Sequence, residues 1–176
     1  EKYDGKIRYL VNDVLMHIKN LESIFVPVNK YGSQAKQSAI AINEAYASDN
    51  QIITFPAGLC SRKKGGKIED LEWMKSFVAK AVQHKRDVVP VFVDGTNSKF
   101  FYNLSNIRTK LGVKANLEMF YLPDEMFKQK GKTITLTFGK PIPYSTFDKS
   151  ISPLEWAQKV KEHVYGIALT PTKEFK

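Results

Sequence analysis

Apolar and polar positions alternate in short blocks along this chain, and the period changes from block to block. Ile7-Arg8-Tyr9-Leu10-Val11 is short and rich in β-branched and aromatic residues, which predicts a strand. A helical stretch is expected over residues 15–19, then a second strand over residues 24–28. Ala35, Ala39, Ile42 and Tyr46 recur at helical spacing behind Ser33, a residue type suited to cap a helix. Gln51-Ile52-Ile53-Thr54-Phe55 predicts a third strand that runs directly into Pro56-Ala57-Gly58. Leu71, Met74, Val78 and Ala81 mark another helix. Residues 88–93 are apolar on both faces, as a buried parallel strand would be. Residues 119–122 and 134–138 are further strand candidates. Ser152, Pro153 and Glu155 spell a capping box ahead of Val160 and Val164, so a helix should begin there. Strands alternating with helices predict an α/β fold, a mainly parallel sheet flanked by helices. In such sheets chemistry collects beyond the strand C-termini, which points at residues 55–67 and 94–98.

Composition narrows this picture without changing it. At 176 residues the chain suits one domain with its own core, and 43% apolar with 26% charged residues is a globular balance. No apolar run approaches the roughly 20 residues of a spanning helix. A single cysteine, Cys60, forbids an internal disulfide and removes most zinc arrangements, so no metal site is expected. The first residue is Glu1 and no signal-peptide pattern follows, from which a piece of a longer protein is expected. Twenty-seven basic residues against 18 acidic give a net charge of +9, spread over both halves of the chain. The one local cluster is Arg62-Lys63-Lys64-x-x-Lys67. Such a surface suits anionic lipid headgroups, a phosphorylated substrate or nucleic acid. Only four of the 27 are arginines, the residue of bidentate base and phosphate contacts, which turns the expectation away from nucleic acid.

Few residues are placed to do chemistry. His17 has Glu22 five positions on, a step that rotates the two side chains apart in a helix, so the pair is not assigned as a base and its partner. His84 and His163 are expected on helix surfaces. Cys60 has no base beside it in the sequence and is taken as an inert loop residue. Gly65-Gly66 lacks the Gly-Lys-Ser/Thr run of a nucleotide-binding loop. The informative stretch is Phe55-Pro56-Ala57-Gly58-Leu59-Cys60-Ser61-Arg62. Pro56 and Gly58 after a strand impose a tight turn and leave backbone N–H groups to meet an anion, where Arg62, Lys63 and Lys64 add charge. A solvated surface turn is the other reading of the same residues.

In order and spacing, these segments resemble the glycerolipid acyltransferases of the lysophosphatidate type. The nearer match is the branch known as hemolysins, related to the acyltransferases of ornithine and glycine lipids. Phe55-Pro56-Ala57-Gly58 and Ser61-Arg62 match that branch, as do Asp70 and Trp73, then Val89-Pro90-Val91, Gly95-Thr96-Asn97-Ser98 and Phe101-Tyr102. Phe25-Val26-Pro27-Val28-Asn29-Lys30 resembles the family's second block, with Lys30 where arginine is usual. Ala57 stands where the commoner form has glutamate, which argues against a plain glycerophosphate acceptor.

The resemblance implies a glycerol-3-phosphate acyltransferase-like fold, with residues 1–176 as a single domain whose catalytic His-x-x-x-x-Asp block lies upstream of Glu1. It implies transfer of a fatty acyl chain from acyl carrier protein or acyl-CoA to the hydroxyl of a lysolipid, either lysophosphatidate or a lyso-aminolipid, with no metal and no other cofactor. Lys30, Gly58 and Arg62 would hold the acceptor's anionic head, with Ser61 beside Arg62. Pro56 and Ala57 would shape that wall, Phe55 would also touch the substrate, and Pro90 would lie toward the acyl end. The protein would then work in the cytoplasm, peripheral on the inner face of the membrane and against its anionic surface. Phe100, Phe101 and Tyr102 either add an apolar contact there or pack in the core. A noncatalytic basic module that holds anionic lipid or nucleic acid is the alternative function.

Overall fold

The computed structural model describes residues 5–28 and 34–175. Strand β1 (Ile7–Val11) is the centre of a three-stranded parallel sheet, flanked by β2 (Phe25–Pro27) and β3 (Gln51–Ile53). Tyr9 stands opposite Phe25 on one side and Ile53 on the other, so the three predicted strands pair in register. Between β1 and β2 the chain makes two 3-10 turns, Asp13–His17 and Lys19–Ile24, in place of the expected helix. Helix α1 (Gln34–Ala47) returns beside β2, where the Ser38 hydroxyl donates to the Pro27 carbonyl.

Beyond β3 the structure departs from the expectation at several places. Residues 62–69 form a hairpin, β4 (Arg62–Lys64) and β5 (Lys67–Glu69), in place of the expected basic loop. Gly65 and Gly66 both take positive φ, 54° and 85°, as a two-residue type I′ turn demands, and only glycine does so without steric cost. Residues 88–93 are not a buried parallel strand. Strand β6 (Val91–Asp94) pairs antiparallel with β7 (Thr135–Phe138), and Val93 is exposed. Pro90 has no N–H for a ladder, and its carbonyl accepts from Gly139 instead. Parallel pairing is therefore confined to β1–β3, and the remaining described pairs are antiparallel. The α/β class holds, while a mainly parallel sheet does not. Finally, residues 119–122 are not a strand but lie across a 3-10 turn (Leu117–Tyr121) and the short helix α4 (Leu122–Phe127). Pro123, Asp124 and Glu125 crowd its first turn, where proline and acidic side chains suit a helix start.

Helix α2 is Ser76–His84, α3 is Lys99–Lys110 and α5 is Pro153–Ile167. The capping box at α5 forms as predicted, Ser152 accepting from the Glu155 N–H and Glu155 from the Ser152 N–H. The core lies between α2 and α5, where Phe77, Val78 and Ala81 meet Trp156, Val160 and Val164, closed by Trp73, Ile142 and Phe147. Leu71 and Met74, expected on α2, precede it in a segment without regular secondary structure. No described helix is long and apolar enough to cross a membrane.

His163 is a correction, since it is buried on α5, edge-on to Phe175, with no hydrogen-bond partner at Nε2. Burial, helped by the Lys173 charge, pushes its pKa below the ordinary value. The unfolded chain takes up a proton near pH 6.5 and the folded protein resists it, so folding stability falls as pH drops through that value toward the lower folded pKa. Urea titrations between pH 7.5 and 5.5 should show this decline, and His163→Leu should flatten it. An unchanged slope in the variant contradicts the assignment.

Candidate functional site

The turn after β3 is built from its own backbone. Gly58 donates to the Phe55 carbonyl at 2.9 Å with φ of +67°, and the Pro56 carbonyl accepts from the Met74 N–H at 3.0 Å. A Cβ at Gly58 would lie 2.9 Å from the Met74 methyl, so the position favours glycine for both backbone and space. Pro56 and Ala57 are half-buried beneath the turn, and the Phe55 ring is 60% exposed at its rim.

Asp70 anchors the far end. Its carboxylate accepts from the Ser61 hydroxyl at 2.7 Å and from the Trp73 indole N–H at 3.0 Å. Helix α5 holds the same segment, through Lys161 on the Asp70 carbonyl, Tyr165 accepting from the Asp70 N–H, and Gln158 bracketing the Trp73 backbone. The Ser-Arg and Asp…Trp pairs, nine residues apart in sequence, thus form one hydrogen-bonded unit.

Arg62 is buried. One Nη donates to the Cys60 and Ser61 carbonyls, the other to Glu118 Oε1 at 2.8 Å, and the guanidinium lies 6.0 Å from the centroid of Phe101. Glu118 has no solvent exposure, and Arg108 clasps it from the other side with Nε to Oε2 at 2.8 Å. Burial pushes the Glu118 carboxyl up, but its own backbone amide, the Arg108 hydrogen bond and the two guanidinium charges outweigh this and hold it below the ordinary carboxylate value. Arg62 is therefore a fixed charge under the turn, with two of its nitrogens already engaged. Lys64 is exposed and Lys63 half-exposed.

Residues 95–98 close the cluster. Ser98 caps α3 and also meets buried Glu125, which accepts from its N–H and its hydroxyl. The Asn97 side chain reaches the Cys60 sulfur, and its N–H donates to the Tyr102 hydroxyl. Burial, the largest influence on the Cys60 thiol, pushes its pKa up and so disfavours the reactive thiolate.

Of the residues singled out in sequence, Phe55, Pro56, Ala57, Gly58, Ser61 and Arg62 come together, while Lys30 lies outside the described residues. Pro90 is buried against Gly139 and Ile167. Phe101 and Tyr102 pack in the core and Phe100 stays outside, so the core reading holds for two of that trio. His17 and Glu22 are exposed on separate turns. No described cluster of His, Cys, Asp and Glu could hold a metal. Sequence reasoning missed Glu118, Glu125 and Arg108, because a lone charged side chain reads as surface charge when its partners lie on other elements. The seven-residue spacing of the two glutamates, which puts them on one helical face, was the available signal.

The sequence profile of the acyltransferase family matches residues 2–169, and the chain belongs to that family. It is 56% identical over 165 residues to the lyso-glycine lipid O-acyltransferase of Bacteroides thetaiotaomicron, covering 94% of this chain and 61% of that protein. It is 55% identical over 165 residues to the enzyme of the same name from Phocaeicola vulgatus, covering 94% of this chain and 59% of that one. The chain thus spans about three fifths of the length of these relatives, and the glycine-lipid branch of the resemblance is supported. No solved structure matches it.

Glu118→Gln leaves two buried guanidiniums without a counter-charge, and breaking such a pair costs about 3 to 5 kcal/mol. Urea unfolding at pH 7 should show a loss of that size. A loss under about 1 kcal/mol contradicts the role given to Glu118. Because its folded pKa is depressed, the stabilisation it gives is present above its ordinary pKa and lost as pH falls through the folded value. The gap between wild type and variant should therefore narrow in acid.

Proposed function

We propose that the protein is an O-acyltransferase that moves a fatty acyl chain from acyl carrier protein or coenzyme A to the hydroxyl of a lyso-glycine lipid. The observation that carries this reading is the likeness to two enzymes of that name over 94% of the chain. In this reading the domain has the glycerol-3-phosphate acyltransferase-like arrangement. The acceptor hydroxyl oxygen attacks the thioester carbonyl, a C–O bond forms, the C–S bond breaks, and the hydroxyl proton passes through a general base to the departing thiolate. The resemblance assigns that base to a histidine oriented by an aspartate, upstream of Glu1.

The acceptor's head sits at the 55–62 turn. A glycine joined through its nitrogen presents a carboxylate, a smaller anion with less charge than a phosphate. Backbone N–H groups and the fixed Arg62 charge suit it, and Ala57 brings no opposing carboxylate. Lys30 adds a second positive charge, and Phe55 at the rim meets the acyl chain.

Purified full-length protein, given lyso-glycine lipid and either thioester, should form the O-acylated product, read by mass spectrometry. Lys30→Ala should raise the acceptor KM about tenfold with kcat little changed, since a screened ion pair contributes on the order of 1 kcal/mol. Lys30→Arg should restore it. No product with either donor contradicts the proposal and leaves the binding-module alternative.

A further inference from the structure

Residues 117–127 face the wrong way for a water-washed surface segment. Glu118 and Glu125, seven residues apart, are turned inward and buried in hydrogen bonds. Phe120 and Phe127, also seven apart, are turned outward with 82% and 72% exposure. Burying the carboxylates against Arg62, Arg108 and Ser98 fixes the rotation of this segment, so the phenylalanines cannot reach the core without breaking those contacts. Met126 and Tyr121 are exposed beside them, and the Tyr121 ring meets exposed Phe100 edge-on at 5.0 Å. This continues the apolar surface onto the start of α3.

The exposed charge in this stretch of chain is mostly positive. In residues 99–132 the exposed charged side chains are six lysines and Asp124. Lys128 lies 5.8 Å from the Phe100 ring centroid and pairs with both Asp124 and Glu125, which leaves the remaining lysines to set the field. A second copy of a +9 chain would bring like charges together, and dry protein contacts are depleted in lysine. A lipid surface suits both features, with rings at the depth of the acyl chains and lysine heads at the phosphates.

We propose that Phe120, Phe127 and Phe100, with the lysines about them, dock the protein on an anionic bilayer. This deepens the lipid-acylation reading and rests on it for the choice of a lipid partner, but it makes a separate claim about which surface does the docking. Phe101 and Tyr102 take no part, since they are core residues.

The test is co-sedimentation of the full-length protein with phosphatidylcholine vesicles and with vesicles carrying one quarter phosphatidylglycerol. Wild type should bind the anionic vesicles more tightly, and high salt should weaken the binding. Phe120→Ser/Phe127→Ser should lower the partition coefficient tenfold or more while leaving the thermal midpoint and the elution volume unchanged. Equal partitioning of variant and wild type overturns the proposal. A variant that loses stability or changes oligomeric state also overturns it, because the patch is then covered by protein. Acylation of lyso-glycine lipid in detergent micelles keeps the two readings apart. It should be unchanged in the variant if docking alone is lost, and its absence in wild type counts against the enzyme reading whatever the vesicles show.

Discussion

A carboxylate sealed from water is tolerated only when its hydrogen-bond sites and its charge are both met, and Glu118 meets them with two guanidiniums. The three residues belong to three elements: Arg62 opens β4, Arg108 lies near the end of α3, and Glu118 sits in the 3-10 turn before α4. None of these elements can shift far without exposing an unpaired charge to the interior. Arg62 carries the constraint onward, because its other nitrogen holds the carbonyls of Cys60 and Ser61, the last residues of the turn. Glu125 does the same for the Gly95–Ser98 turn through Ser98. Buried ion pairs are weak evidence of net stability, and their effect here is geometric. They fix where the turn and the α4 segment stand relative to α3.

What the sequence disclosed depended on how local the cause was. The α5 capping box was legible because both partners lie within four residues and the chemistry is carried by their side chains. β1 was legible as a short β-branched run, and β2 and β3 form within the predicted segments. Residues 119–122 were not, because a four-residue apolar run reads the same in a strand and in a helix, and the arginines that settle its conformation come from other elements. The pairing of β6 with β7 was hidden for the same reason, since the partner strand starts about forty residues on. In the site, the motif residues were visible by resemblance, but the parts that hold them, Asp70 excepted, were not. Glu118 and Glu125 look like solvated charges until the fold closes over them.

One ion-pair network therefore acts on two surfaces. Pulling Glu118 inward sets Arg62 beneath the Phe-Pro-Ala-Gly turn and in the same motion turns Phe120 outward. In the proposed reading, a turn that receives an anion beside a fixed cation, and an apolar face with lysines in the same stretch of chain, serve two needs of an enzyme whose acceptor is an amphiphile. A headgroup must be held while its chain stays in lipid. The physical arrangement is economical because neither feature requires a separate scaffold.

The most direct measurement is a crystal structure of the full-length protein with lyso-glycine lipid bound. The account predicts the headgroup carboxylate within hydrogen-bond distance of the 56–61 backbone and of Lys30, with Arg62 still on Glu118. A headgroup bound away from this turn, or Arg62 released from Glu118 when the lipid enters, would contradict it.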